Sequence, residues 1–173
     1  MWEIIQLYLH QILVSLRILR DYRVPLKLVV LGGDEWHYGM VQTAMMEVQK
    51  FYRDKADIIW QVDYDHRPDA VPNTETIRAY ATMKDDPTPT LYVITYLATS
   101  PEGWRGAWAG PFGWVGGAPG ARLLGHELGH CLSLKHTSTG LMHPKTDGQL
   151  SSALLTPQEI EAMRQQARVY RRG

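Results

Sequence analysis

Apolar and polar positions along this chain follow two different periods, and the places where the period changes mark its elements. Near the N-terminus, Leu9, Ile12, Leu13, Leu16 and Leu19 recur at three and four residues, which predicts an amphipathic helix. It is expected to pack on the body of the protein, with a partner-binding or propeptide-like role as the alternative. Gln6, His10, Gln11, Ser15 and Arg17 interrupt the segment too often for a membrane span. Glu3 stands where a secretory signal needs positive charge, and no small-residue cleavage site follows. After Pro25, Leu26 to Leu31 reads as a buried strand closed by Gly32, Gly33 and Asp34. From about Trp36 the period lengthens: Val41, Ala44, Met45, Val48, Phe51, Tyr52 and Lys55 recur at helical spacing.

Asp57 to Tyr64 returns to strand chemistry. A strand, a helix and a strand in that order predict a right-handed crossover joining a parallel pair. Pro68, Pro72, Pro87 and Pro89 punctuate residues 65–90, where Asn73 to Met83 fits a short helix or a strand equally. Leu91 to Leu97, rich in β-branched and aromatic residues, predicts another strand. Residues 103–120 are dense in glycine and tryptophan, which allows only short, edge-like strands and lets backbone approach a ligand closely. A helix is expected from about Ala121. Thr156, Pro157 and Glu159 carry the signature of a capping box, and Ile160, Met163 and Ala167 supply the apolar face of a final helix.

Composition narrows the class without naming it. The 173 residues suffice for one domain with its own core, and 45% apolar and 21% charged residues are ordinary for a globular protein. Lys+Arg and Asp+Glu are 18 each, so net charge gives no reason to expect a nucleic-acid partner. Cys131, the single cysteine, cannot form an intramolecular disulfide. With no recognisable signal, that leans towards a reducing, cytoplasmic setting. Oligomeric state is open.

The chemistry concentrates on the helix expected after Ala121, which contains His126-Glu127-Leu128-Gly129-His130. Residues four apart share a helix face, about 5–6 Å between Cβ atoms, so two imidazoles there can reach one metal ion. The glutamate between them then points to its open side. Zinc takes nitrogen donors in a tetrahedral array, and a catalytic site keeps one position for water, so a third protein ligand is required. A shuffled chain with the same 7 histidines would show His-Glu-x-x-His about 1% of the time, and with a further histidine at His136 roughly 0.05%.

HELGHCLSLKH from His126 to His136, followed by TGLMHP from Thr139 to Pro144, resembles the metzincin peptidases. Their motif is His-Glu-x-x-His-x-x-Gly-x-x-His with a methionine turn beneath the metal. Within them it is most similar to the matrixins, and LTPQEI from Leu155 to Ile160 resembles their terminal helix. The close match runs from about Ala121 to Met163. The resemblance implies an α+β, zincin-like fold: a twisted, mainly parallel mixed sheet backed by two long helices, with a small C-terminal subdomain. It divides the chain into an N-terminal helical segment (1–24), an upper subdomain carrying the active-site helix (25–136) and a lower one with the methionine turn and final helix (137–173). It also implies one catalytic Zn2+ held by His126, His130 and His136, Glu127 as general base, and Met142 as the floor under the metal. The edge strand around Gly106 to Gly110, with Ala107 and Ala109, would bind an extended peptide by strand addition. His143 would face the same cleft.

Two departures stand out. Ser133 replaces the family glycine, whose left-handed conformation turns the chain back towards the metal. A side chain there costs on the order of 1 kcal/mol, against metal-binding energies of roughly 10 kcal/mol. Gly116 to Gly120 lacks the His/Asp pattern that supports a structural zinc and calcium in matrixins, so no second zinc is expected and calcium stays undecided. Two alternatives remain: Glu159 as a third ligand, as in the gluzincin peptidases, and a zinc-stabilised protein that holds peptides without cutting them. Asp34 resembles the aspartate latency residue of some metzincins but also suits a plain turn. Cys131 is expected to be buried packing, and His10, His37 and His66 have no ligand spacing.

Overall fold

The computed structural model describes residues 22–70, 88–95, 106–109, 112–117, 119–145 and 148–170. The helix expected over residues 1–21, the Asn73 to Met83 segment and the end of the strand expected to reach Leu97 lie outside the described residues.

The elements in chain order are β1 (Tyr22–Leu31), α1 (Glu35–Ala56), β2 (Ile58–Arg67), β3 (Thr90–Ile94), β4 (Gly106–Ala109), β5 (Phe112–Gly116), α2 (Ala121–Cys131) and α3 (Pro157–Tyr170). A short 3-10 turn spans Leu150–Ser152. The strands form one sheet in the order β2-β1-β3-β5-β4. β1 runs parallel to β2 and to β3, β3 runs parallel to β5, and β4 alone is antiparallel, at the edge. This is the α+β, mainly parallel arrangement expected from the sequence.

β1 starts at Tyr22, inside the segment assigned above to the N-terminal helical piece, and it runs through Pro25. Backbone direction explains why the proline is tolerated. Tyr22 N–H donates to Asp57 O on the β2 side, whereas Lys27 N–H donates to Pro89 O on the β3 side. Odd positions of β1 therefore face β3, and pairing with β3 begins only at Lys27. The missing N–H of Pro25 faces no strand among the described residues.

Asp34 is the N-cap of α1, its carboxylate accepting from His37 N–H at 3.1 Å. That is the turn reading of this residue, and its bond to the helix start fully explains its position. α1 buries Val41, Ala44, Met45, Val48, Phe51, Tyr52 and Ala56. Lys55, placed above on the apolar stripe, is exposed; the stripe ends on Ala56, next to the left-handed Asp57 that closes the helix.

One face of the sheet packs against α1, α2 and α3 through a continuous apolar cluster that includes Leu26, Leu28, Val48, Leu91, Val115, Leu124, Leu128 and Met163. Leu141, Met142, Leu150 and Ala153, from the segment after α2, join that same cluster. Val29, Leu31, Tyr92 and Ile94 are buried on the other face. Among the described residues no helix is long and apolar enough to cross a membrane.

Candidate metal centre and active site

α2 is buried along almost its whole length. Leu123, Leu124, Leu128 and Cys131 are buried, and so are Arg122, His126 and Glu127. α2 lies between α1 and the β4–β5 edge of the sheet, so its polar side chains are held inside the protein together with its apolar ones. Tyr52 of α1 braces it, donating from its buried hydroxyl to Gly125 O at 2.6 Å. Burial pushes the Tyr52 phenol well above its ordinary pKa, so it remains a donor.

His126, His130 and His136 converge. Their ligand-capable nitrogens lie within 4.8 Å of one another, with His136 Nε2 at 3.2 Å from His126 Nε2 and 3.1 Å from His130 Nε2. The Nδ1 of His126 donates to Leu141 O at 3.1 Å, and that of His130 to Leu134 O at 2.8 Å. With their hydrogens on Nδ1, both rings turn Nε2 lone pairs towards His136. Burial pulls the His126 imidazolium down to about 4 and lowers His130 as well, so both are neutral ligands at physiological pH. Three nitrogens bound to zinc at about 2.0–2.1 Å with tetrahedral angles would stand roughly 3.3 Å apart, close to the separations of His136 Nε2 from the other two rings. Carbonyls that hold the far side of each ligand ring are the usual support of such a site.

The turn that delivers His136 is built without the glycine. Leu134 N–H donates to Gly129 O at 3.0 Å and Ser133 N–H to His130 O at 2.9 Å, the paired bonds of a Schellman motif. Ser133 takes the left-handed position at φ 67°. The backbone accepts a conformational cost of about 1 kcal/mol and keeps the turn shape.

Glu127 sits beside the histidines, with 3% of its surface exposed. Its Oε2 is buried with no hydrogen-bond partner among the described residues. Burial alone pushes the carboxyl up to about 8. An orphaned buried carboxylate oxygen is costly unless a cation or a substrate group completes it. The opposite wall is Gly106, where any side chain would run into the carboxylate.

Met142 is fully buried, with its sulfur against Gly129 between the two histidines of α2. Arg122 secures the same turn, donating from Nη1 to Leu141 O at 2.9 Å and from Nη2 to Gly140 O. Leu141 O thus accepts from both Arg122 and His126.

Other expected site residues lie elsewhere. His143 Nδ1 accepts from Lys145 N–H at 3.1 Å and stands outside the histidine cluster. In β4, Gly106 and Trp108 face the helices, and strand alternation turns Ala107 to the other face, opposite Trp114 in register. Ala109 pairs with Phe112. What β4 offers along the sheet edge is backbone. Glu159 is half-buried and engaged in the capping box, where its carboxylate accepts from Thr156 N–H at 2.7 Å and its own N–H donates to Thr156 Oγ1 at 3.2 Å. It does not join the histidines. Cys131 is buried, and burial raises its thiol. Tyr52, Gly106, Arg122 and Gly129 were not singled out from the sequence. Their roles depend on distant contacts, and only the glycine density around Gly106 hinted at a close approach.

No protein-family model and no curated protein sequence matches the chain. Solved structures do. Metalloproteinase-II from Bacteroides fragilis is similar over 83% of this chain, with a TM-score of 0.57 and 16% identity; the chain spans only 53% of that protein. Archaemetzincin from Methanopyrus kandleri is similar over 88% of this chain and 96% of its own, with a TM-score of 0.51 and 16% identity. At such identity the likeness is one of fold. The chain shares the fold of these two proteins, and within it three histidines are placed to hold a metal ion.

Proposed function

We propose that the protein is a zinc-dependent endopeptidase of metzincin type. The observation that carries this reading is the convergence of the three imidazole Nε2 atoms beside a buried carboxylate whose Oε2 has no hydrogen-bond partner among the described residues. His126, His130 and His136 would hold the ion. When bound, zinc supplies a Lewis acid that makes water more acidic and polarises a peptide carbonyl.

The chain's own groups do the rest. Glu127 takes a proton from the attacking water and returns it to the leaving amine, as a general base and then a general acid. Leu141 and Leu134 carbonyls orient the His126 and His130 rings. The position of β4 at the sheet edge among the described residues supports binding of an extended peptide as an additional strand, close to Glu127 where Gly106 meets it. The matrixin-like part of the reading rests on the resemblance from about Ala121 to Met163 alone.

Incubation with a mixed peptide library tests the reading. Internal cleavage is expected, lost on chelation and restored by zinc. Glu127→Ala should keep zinc and lose roughly 100- to 10,000-fold in rate. Retained zinc with undiminished cleavage in that variant would remove Glu127 from the mechanism. Bound zinc with no cleavage by the wild-type protein would favour a peptide-holding role.

A further inference from the structure

We infer that Gln166 and Tyr170 of α3 are positioning residues for His136, acting through the left-handed turn at Ser133. The inference rests on the zinc site proposed above and concerns how this chain builds it.

The turn has two tasks. Leu134 O orients His130, and the chain leaving Leu134 carries His136 to the other two rings. Glycine would adopt the required φ freely, but here a serine holds it at 67°. The backbone's own bonds are the Schellman pair. Outside help comes from α3. Ser133 Oγ donates to Gln166 Oε1 at 3.1 Å, and Tyr170 Oη donates to Cys131 O at 3.1 Å, satisfying a carbonyl that the helix end leaves open. Gln166 and Tyr170 stand one helical turn apart, so a single face of α3 grips both ends of the turn. That face cannot slide. Met163 and Ala167 are buried in the core, Arg164 donates to Ala56 O at 3.0 Å and pairs with Asp57, and Arg168 donates to Tyr22 Oη at 2.9 Å. The Cβ that makes residue 133 costly in this conformation also carries the hydroxyl by which α3 holds it.

Zinc affinity, read by competition with a chromogenic chelator on the full chain, tests this. Gln166→Ala is expected to weaken binding about tenfold, and Tyr170→Phe by a similar factor, as for other groups that orient ligands indirectly. Gln166→Glu keeps an acceptor for Ser133 and should restore wild-type affinity. In a Ser133→Gly background, where no hydroxyl remains and the turn needs no holding, Gln166→Ala should have no effect on affinity. A merely structural role would lower thermal stability equally in both backgrounds and leave zinc affinity alone; that result overturns the inference. So does an equal loss of affinity in both backgrounds. Zinc binding that behaves as expected in a protein without peptidase activity would overturn the proposed reaction and leave this inference standing. Absence of zinc binding by the wild-type chain overturns both.

Discussion

Gly106 and Glu127 meet so closely that even a methyl group on residue 106 would overlap the carboxylate. An edge strand and the central helix are thereby set against each other at the group that is proposed to move the proton. The contact exists because β4 folds back antiparallel on β5, which carries Gly106 opposite Val115 and above α2.

Gly106→Ala should therefore displace the carboxylate without touching the histidines. The expected outcome is a fall in kcat of roughly ten- to a hundredfold with zinc content unchanged. Steady-state kinetics beside metal analysis check it; an unaltered kcat would mean that the carboxylate does not need this position.

Removal of a ligand should act on the metal itself. His136→Ala leaves two imidazoles, and zinc affinity should drop by more than about a hundredfold, a larger effect than loss of an orienting group. Equilibrium dialysis measures it. Tight zinc binding that survives the substitution would exclude His136 as a ligand.

Glu127 gives a pH signature in the metal-free protein. Its folded pKa is raised from 4.5 to about 8 by burial. Below the unfolded value the group is protonated in both states and carries no penalty. As pH rises towards 8 the unfolded chain ionises first, so stability falls by up to about 1.4 kcal/mol per unit. His126, pulled down to about 4 by burial, works in the opposite sense, losing stability as pH falls from 6.5. It is common to wild type and variant, so their difference isolates Glu127. After chelation, Glu127→Gln should gain over wild type in thermal midpoint between about pH 5 and pH 8. Parallel curves would show that Glu127 is already ionised in the folded protein.

Gly129 lies against the sulfur of Met142, so Gly129→Ala must push the methionine off its seat. Overpacking of this kind costs about 1–3 kcal/mol. Chemical denaturation of the metal-free protein checks the cost. A Met142→Ala change that restores the stability of Gly129→Ala would locate the strain at this contact, and failure to do so would place it elsewhere.

Much of the fold was legible in local pattern. Helical spacing from Val41 to Tyr52 and the run from Leu26 to Leu31 each report their own burial, because a side chain's face follows from its place in the period. The capping box at Thr156 formed as read, since all its partners lie within one turn. The start of β1 was placed too late because Pro25 argues against a strand, and only the position of β3 shows that its missing N–H does no harm. Which face Ala107 takes is set by the register with β5, which the glycine-rich sequence does not specify.

Linear order by itself singles out the groups proposed to do the chemistry. Imidazoles four apart on a helix share a face whatever surrounds them, and the spacing to His136 requires only a turn. Packing decides everything that depends on distant chain: the carbonyl of Leu141 behind His126, Gly106 over Glu127, and α3 holding a serine where glycine would serve. Those contacts join segments far apart in sequence, and no local pattern encodes the direction in which a side chain meets a partner brought to it only by the folding of the whole sheet and its helices.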